Sequence, residues 1–328
     1  MPPQNLNLFS KPQLKTGMNL VNAEEWQAAS EYFILNPKST KLIKNSGVKV
    51  SHDFIRLKNG IYAINEQIGA GSKGVINLTQ DEKGNNYVLK ITELDEVTFP
   101  DIPESVQEEF EEFDELVAHI QSHPSESYSS EEIILKKNGK LIDSGLVLSE
   151  DTEDVELAIV MPFLGKPLLQ HIAQNKKTDT ELLGYAIQCI EQIEKLHTEN
   201  FNDNKGFIHG DVSISNFLIN DNDEINIIDF GSSVKIREGI DDTYKLPPAI
   251  DERYTNVPPE YKERQCSCKS DVYRLAEVLQ EIFRKDFLTG TAVSNIIEKM
   301  REKNPEMRPS LGEVKQVFSQ QLSKSNRY

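Results

Sequence analysis

Three oxygen-bearing side chains, at Asp211, Asn216 and Asp229, are spaced so that a hairpin would bring them together. Asp211 and Asn216 precede a short apolar run at residues 217–219, and Asp229 follows a second run at residues 225–228. The polar cluster between these runs is typical of a tight turn, so the pattern predicts two paired strands with the three side chains at one end. Magnesium prefers such hard oxygen ligands and completes its shell with water and phosphate oxygens. The stretch therefore predicts a Mg²⁺ site.

A glycine-rich stretch and a lysine could together bind phosphate groups. Residues 68–75 read IGAGSKGV, with Gly69, Gly71 and Gly74 between two predicted strands, and Lys90 lies on the next apolar strand. Glycines let a hairpin tip approach phosphate oxygens without Cβ clashes and leave backbone N–H groups to bind the anion. Taken alone, the glycines are also compatible with an ordinary turn, and a strand lysine is usually solvated. Their combination favours a phosphate-binding role.

Together these two groups resemble the catalytic core of the protein kinase superfamily. His209, Asp211 and Asn216 match the H-x-D-x-x-x-x-N element of that family, and residues 229–231 read DFG. Lys90 lies at the distance from the glycines at which kinases carry the lysine that holds the ATP phosphates.

Later landmarks extend the resemblance into the second half of the chain. Glu260 follows two prolines, as in the element that closes the kinase activation segment, and Asp271 lies on a buried helix predicted at residues 270–283. The resemblance implies that Asp271 binds the catalytic-loop backbone and that Arg308 pairs with Glu260. It covers roughly residues 61–320 and favours a Ser/Thr-type protein kinase.

The resemblance also implies roles in transferring a phosphoryl group from ATP to a hydroxyl. Asp211 would orient the acceptor hydroxyl, while Asn216 and Asp229 would bind Mg²⁺, or Mn²⁺ in its place. Lys90 would hold the ATP phosphates, and the three glycines would cover them. The other expected nucleotide-binding residues are Ile68, Val75, Val88, Met161, Leu164 and Leu218.

In the kinase resemblance, Lys90 needs a carboxylate partner from a helix. Residues 104–122 have apolar side chains at helical spacing, which predicts such a helix. Glu109 lies inside the apolar arc and Glu112 at its edge, so Glu109 is the predicted partner and Glu112 the alternative. Residues 131–154 are predicted to form a strand pair with an acidic turn.

Departures from the family pattern leave the substrate class open. Gly210 stands where regulated protein kinases have arginine, and Ser213 where Ser/Thr kinases typically carry lysine. The arginine expected of tyrosine kinases is absent from Ser213 and Ser215. The H-G-D form also occurs in small-molecule phosphotransferases of the aminoglycoside and choline kinase type, which gives an alternative activity. A pseudokinase scaffold is a third hypothesis, which the retained phosphate and metal residues oppose.

Composition limits the classes to which the chain could belong. With 328 residues and 38% hydrophobic content it is expected to be globular, and its apolar runs are too short for a membrane span. The net charge of −17 disfavours nucleic acid as a partner and is compatible with a basic protein substrate. Three cysteines without metal-site spacing predict free thiols.

The expected location follows from the start of the chain, which lacks the pattern of a secretory signal and predicts a cytosolic protein. The Asn-, Lys- and Ile-rich composition is compatible with a bacterial kinase, including one delivered into a host cell.

The expected architecture is an α+β bilobal kinase fold. A flexible arm at residues 1–21 precedes an extension at residues 22–60, in which Asn22 begins a helix and a hairpin follows. Residues 61–164 would form the small lobe, an antiparallel sheet with one main helix. Residues 165–328 would form the larger, mainly helical lobe, with a core helix at residues 180–197.

Overall fold

The computed structural model of the chain describes most, but not all, of its residues. The described ranges are 21–44, 46–71, 74–94, 129–148, 155–174, 176–199, 206–236, 244–245, 257–283 and 291–325.

The chain divides into two compact units, Met1–Phe163 and Leu164–Tyr328. The division falls one residue before the boundary expected between the two lobes. The first unit is rich in strands, and the second is mainly helical.

Helix α1, Ala23–Leu35, begins the described part of the first unit. Asn22 caps it, because its side chain accepts a hydrogen bond from the Glu25 N–H at 3.0 Å. The Glu25 carboxylate accepts hydrogen bonds from the backbone N–H and the hydroxyl of Ser51. Glu25 therefore connects the helix to the segment that follows it.

One face of α1 packs into an apolar cluster. Trp26, Ala29 and Phe33 are buried there with Leu42 and Phe54. The Trp26 and Phe54 rings meet edge to face, with their centroids 5.2 Å apart. The single tryptophan of the chain is thus a packing residue.

A seven-stranded antiparallel sheet forms the body of the first unit. Its strand order is β1-β2-β3-β4-β5-β7-β6, so the extension before residue 61 contributes the edge strand β1 and its neighbour β2. The hairpin predicted around Asn59-Gly60 is confirmed as the β2–β3 pair. The strands are β1 Lys41–Leu42, β2 Asp53–Arg56, β3 Ile61–Gly71, β4 Gly74–Asp81, β5 Asn86–Leu94, β6 Asp143–Leu148 and β7 Val155–Met161.

The prediction of a strand pair at residues 131–154 is wrong in its first part. Helix α2, Ser130–Lys137, occupies the start of that stretch, and the paired strands β6 and β7 follow it. Ser129 caps α2 through a complete capping box with Glu132. A short apolar run such as residues 133–135 does not distinguish helix from strand, and the cap favours the helix here.

The second unit is built around two buried helices. In this unit lie α3 Leu168–Gln174, α4 Asp179–Thr198, α5 Cys268–Phe283, α6 Ala292–Met300 and α7 Leu311–Ser325. Helix α4, predicted at residues 180–197, is confirmed and packs against α5 and α7. Thr178 and Glu181 form its capping box. Ile190 and Ile193 on α4 and Leu275 and Leu279 on α5 are fully buried, so these helices form the core of the unit.

Short strands complete the second unit. The predicted hairpin is confirmed: β10, Phe217–Ile219, pairs with β11, Ile225–Ile227. In the same sheet β8, Lys166–Pro167, pairs with β10. Two further pairs join β9, Phe207–Ile208, to β12, Val234–Lys235, and β13, Tyr244–Lys245, to β14, Gln265–Cys266. Among the described residues, no helix is both long and apolar enough to cross a membrane.

Candidate active site

The three glycines lie on the β3–β4 hairpin, between two strands as predicted. Gly69 pairs with Ile76, and Gly71 pairs with Gly74. Gly74 has a φ of +132°, and an added Cβ would overlap the carbonyl oxygen of Ile91 on the adjacent strand. The glycine at this position is therefore required by the local packing of the sheet, whatever ligand the hairpin binds.

Residues paired directly across an antiparallel sheet have side chains on the same face. The pairing therefore shows which predicted nucleotide-binding residues share a face. Val88 pairs with Met161 on β7, and Lys90, two positions further along, pairs with Ile159. Val88, Lys90 and Met161 therefore share a face, and all three are buried.

Val75 does not belong to that face, which corrects its predicted role. It pairs with Ile91, whereas its neighbour Ile76 pairs with Lys90. Since successive residues of a strand alternate between faces, Ile76 lies on the face of Lys90, and Val75 lies on the opposite one. Ile68 lies next to a shift in the β3–β4 register, between Gln67 and Gly69.

Lys90 forms a buried ion pair with Glu131. Lys90 Nζ lies 2.6 Å from Glu131 Oε2, and the two side chains are 9% and 7% exposed. The two predicted partners, Glu109 and Glu112, lie outside the described residues. In the described structure the partner comes from α2, at the first turn of the helix that the sequence pattern had assigned to a strand.

In the second unit, Asp271 anchors the loop at residues 209–216, as predicted. Its carboxylate accepts hydrogen bonds from the backbone N–H of His209 at 2.7 Å and of Gly210 at 3.0 Å. Gly210 has a φ of +78°, and an added Cβ would overlap the carbonyl oxygen of Ser232. Gly210 thus has a conformational reason to be glycine where the family pattern has arginine.

His197 compensates the buried charge of Asp271. His197 Nε2 donates to Asp271 Oδ2 at 2.7 Å, and Asp271 is fully buried. Burial alone lowers the pKa of His197, but its hydrogen bonds to Asp271 and Cys268 outweigh burial and raise the pKa to about 10. The pair is therefore an imidazolium and a carboxylate at neutral pH.

The loop also holds together the segments that carry the predicted metal ligands. The side-chain amide nitrogen of Asn216 donates to the backbone carbonyl of Asp211 at 2.9 Å. The backbone carbonyl of Asn216 accepts a hydrogen bond from the Ile228 N–H at 3.0 Å. His209 Nε2 donates to the Ile228 carbonyl at 3.2 Å. Asp229 follows Ile228 in a left-handed conformation, with a φ of 63°. The structure thus brings together the segments of Asp211, Asn216 and Asp229.

The carboxylate of Asp211 contacts a residue that the sequence reasoning missed. Arg274 Nη2 on α5 donates to Asp211 Oδ1 at 3.1 Å, while Arg274 Nε donates to the Val212 carbonyl at 3.0 Å. Arg274 lies three positions after Asp271, and such positions share a helix face. That spacing is the signal from which its position could have been found.

Two further predicted residues lie near the start of the second unit. Leu218 is buried on β10, where it pairs with Asn226 and with Pro167. The Leu164 carbonyl accepts a hydrogen bond from the side-chain amide of Asn226 at 3.1 Å. One acceptor position of the Leu164 carbonyl is thus occupied within the second unit.

The ion pair predicted between Glu260 and Arg308 is confirmed. The two Arg308 amino groups lie 2.6 and 2.8 Å from the two Glu260 oxygens, a bidentate arrangement. The Ser270 hydroxyl donates to the same carboxylate at 2.7 Å. Burial raises the pKa of Glu260, but the bonds from Arg308 and Ser270 outweigh it, so the pKa is lowered overall.

The side chains fit a magnesium–nucleotide complex by their chemistry. Asn216 and Asp229 offer one amide oxygen and one carboxylate, and Mg²⁺ is usually held by one or two carboxylates together with water and substrate phosphates. In the part of the chain that is described, no three His, Cys, Asp or Glu side chains form a metal cluster.

Comparisons with known proteins give a consistent result. The family model described as "Protein kinase domain" matches residues 62–324. A calcium/calmodulin-dependent protein kinase kinase of Caenorhabditis elegans is 26% identical over 216 residues, covering 62% of this chain and 37% of that protein. Stress-activated protein kinase alpha of Dictyostelium discoideum is 27% identical over 288 residues, covering 82% of this chain and 39% of that protein.

A third relative is closer to this chain in length. A probable serine/threonine-protein kinase of Encephalitozoon cuniculi is 25% identical over 280 residues, covering 80% of this chain and 76% of that protein. The chain thus spans well under half the length of the first two relatives and about three quarters of the third.

Proposed function

Because this chain belongs to the protein kinase family, we propose that it transfers the γ-phosphoryl group of ATP to a serine or threonine hydroxyl of a protein. The observation that carries the proposal is the anchored loop of the second unit. Asp271 fixes its backbone, and Asn216 joins it to the segment of Asp229. A fixed loop of this kind supplies the positioning on which phosphoryl transfer depends.

Asp211 is the proposed proton acceptor. As the hydroxyl oxygen forms its bond to the γ-phosphorus, the bond between that phosphorus and the oxygen bridging to the β-phosphate breaks. The proton of the hydroxyl passes to the Asp211 carboxylate, and ADP carries the displaced oxygen. The Asp211 side chain is 30% exposed, so an acceptor hydroxyl has access to it.

Magnesium bound to ATP would neutralise the negative charge that develops on the phosphate oxygens. Asn216 and Asp229 are the proposed residues that hold the metal ion. The Asn216 amide nitrogen donates to the Asp211 carbonyl, which leaves Oδ1 as the oxygen available to a cation.

Lys90 is the proposed phosphate-binding cation of the first unit. Its side chain is held on the buried face of β5 by Glu131, so its position is fixed before a nucleotide binds. The Glu131 carboxylate, 2.6 Å from Lys90 Nζ, supplies the opposite charge that a buried ammonium group needs. The glycine hairpin, Val88 and Met161 complete the proposed nucleotide-binding residues of this unit.

A protein substrate with basic character fits the charge of the chain. The formal net charge of −17 attracts cationic partners and repels acidic ones. The curated relatives are named as protein kinases, which supports a protein acceptor over a small molecule.

The proposal is tested by following labelled phosphate. The purified protein is incubated with Mg²⁺, γ-labelled ATP, a basic carrier protein and a small-molecule extract, and the label is traced to each fraction. We expect label on serine or threonine of protein, and loss of that label in Lys90→Met. Label only on small molecules would replace the proposal with the small-molecule phosphotransferase. ATP binding without transfer to either fraction would replace it with a scaffold role.

A further inference from the structure

Arg274 on α5 connects to the loop at both its backbone and its candidate proton acceptor. Its Nε donates to the Val212 carbonyl at 3.0 Å, and its Nη2 donates to Asp211 Oδ1 at 3.1 Å. The arginine side chain is 5% exposed, whereas that of Asp211 is 30% exposed. A buried cation thus contacts a carboxylate that solvent, and therefore a substrate, can reach.

The loop has no cation of its own at this point. Residues 209–216 read HGDVSISN and contain neither lysine nor arginine. The Ser213 and Ser215 hydroxyls bond to each other at 2.7 Å. The charge beside Asp211 is therefore supplied by α5, a different element of the fold.

Helix α5 binds the loop through two side chains of opposite charge. Asp271 accepts from the N–H groups of His209 and Gly210, and Arg274, on the same helix face, donates to the next two residues. His197 carries the positive charge that balances Asp271. The charges alternate along this buried row, so each is compensated by a neighbour.

We propose that Arg274 is a positioning residue for the phosphoryl-transfer reaction. Arg274 takes over the role of the cation that the loop lacks. By holding Oδ1, the guanidinium fixes the Asp211 carboxylate in one orientation and leaves Oδ2 to receive the proton of the acceptor hydroxyl. Its bond to the Val212 carbonyl prevents the backbone on which Asp211 lies from rotating. The inference rests on the proposed function, because it assigns Arg274 a part in that reaction.

A second reading, in which Arg274 only stabilises the fold, makes a different prediction. If Arg274 only stabilises the fold, its replacement lowers the stability of the protein alone. A new cation in the loop then does not restore that stability. A positioning cation affects kcat more than the KM for ATP, and a lysine introduced next to Asp211 can partly replace it.

The experiment compares Arg274→Gln, Arg274→Lys and the double variant Arg274→Gln/Ser213→Lys in the full chain. Arg56→Gln is the matched control, because Arg56 also donates to two backbone carbonyls, those of Phe33 and Pro37, but lies outside the proposed machinery. Steady-state kcat and KM for ATP are measured for each variant, and the melting temperature is recorded alongside.

We expect Arg274→Gln to lower kcat by roughly 10- to 100-fold, with the KM for ATP within about threefold of the parent. Arg274→Lys should retain more activity than Arg274→Gln. In the double variant, log kcat should recover by at least about a third of the decrease that Arg274→Gln causes. Arg56→Gln should leave kcat unchanged. An unchanged kcat in Arg274→Gln, or a loss that Ser213→Lys does not restore, would overturn the inference.

Asp211→Asn is measured in parallel to distinguish failure of the inference about Arg274 from failure of the proposed function. If Asp211→Asn is inactive while Arg274→Gln is fully active, the inference about Arg274 fails and the proposed function stands. If Asp211→Asn is itself fully active, the proposed function fails, and the inference fails with it.

Discussion

The ion pair of Lys90 and Glu131 and the loop at residues 209–216 are held in place in different ways. Among the described residues, Lys90 is held by the Glu131 carboxylate from helix α2. The loop is positioned through its own backbone, by Asp271 at residues 209 and 210 and by Arg274 at residue 212. An ion pair between side chains fixes the positions of those side chains, whereas bonds to consecutive backbone groups fix the path of the chain.

This difference predicts how each region tolerates substitution. Removing one partner of a buried pair is costly, but replacing both with apolar residues is often nearly neutral. A carboxylate that satisfies two backbone N–H groups has no such simple replacement, because those groups remain buried. Substitution of both Lys90 and Glu131 should therefore reduce function with little loss of stability, whereas substitution of the anchor Asp271 should reduce both.

The largest expected effect is that of Asp271→Ala. The change leaves two backbone N–H groups and the His197 imidazolium without their acceptor. We expect the free energy of unfolding to fall by about 3–5 kcal/mol, as for other broken buried ion pairs, together with loss of phosphoryl transfer. Urea denaturation measures the first quantity. A loss below about 1 kcal/mol would show that the loop has other sufficient anchors.

The ion pair of the first unit is tested by a double-mutant cycle. Glu131→Leu alone removes the carboxylate that lies 2.6 Å from the buried Lys90 ammonium and should cost about 3 kcal/mol. The double variant Lys90→Met/Glu131→Leu should regain most of that stability. Its affinity for ATP, measured by calorimetry, should be lower than that of the parent chain. If the double variant is no more stable than Glu131→Leu, the two regions do not differ in the way described.

His197 should make the stability of the second unit depend on alkaline pH. Its pKa is raised from the ordinary value of 6.5 to about 10 in the folded protein, so protonation favours the folded state. The contribution is fully present below pH 6.5 and is lost as the pH rises through about 10. Thermal melting between these pH values should show a decline in the parent chain and a flatter profile in His197→Gln. Equal profiles would contradict the assignment.

The smallest expected effect is that of Glu25→Ala in the extension. The carboxylate accepts two hydrogen bonds from Ser51, so its loss should cost about 1–2 kcal/mol of stability. Burial raises the pKa of Glu25, but the bonds from Ser51 outweigh it and lower the pKa overall, so this stability is present above pH 4.5 and is lost on acidification below it. We expect kcat to be unchanged. A fall in kcat would show that the extension takes part in activity.

The sequence was informative where contacts are local or belong to an ordered motif. The β10–β11 hairpin, helix α4, the cap at Asn22 and the pairing of Glu260 with Arg308 all agree with the predictions. Turn residues, helical periodicity and cap spacing act over a few positions, so they can be recognised without knowledge of tertiary structure.

The differences arise where tertiary contacts decide. Glu131 is 41 positions from Lys90, and periodicity cannot select one glutamate among several at such a separation. The face of Val75 depends on the ladder register, which the glycine motif alone does not determine. Arg274 was predicted only as one position of a buried helix, because its contact with Asp211 depends on how α5 packs against the loop.

The most direct test of the central claim is the transfer rate of Asp211→Asn at saturating Mg²⁺ and ATP. Asp179→Asn, an equivalent change at an exposed position of α4, is the control, and calorimetry measures ATP binding to each variant. The proposed role predicts a transfer rate lower by at least about 100-fold, with the Kd for ATP and the melting temperature close to those of the parent chain. A transfer rate equal to that of Asp179→Asn would contradict it.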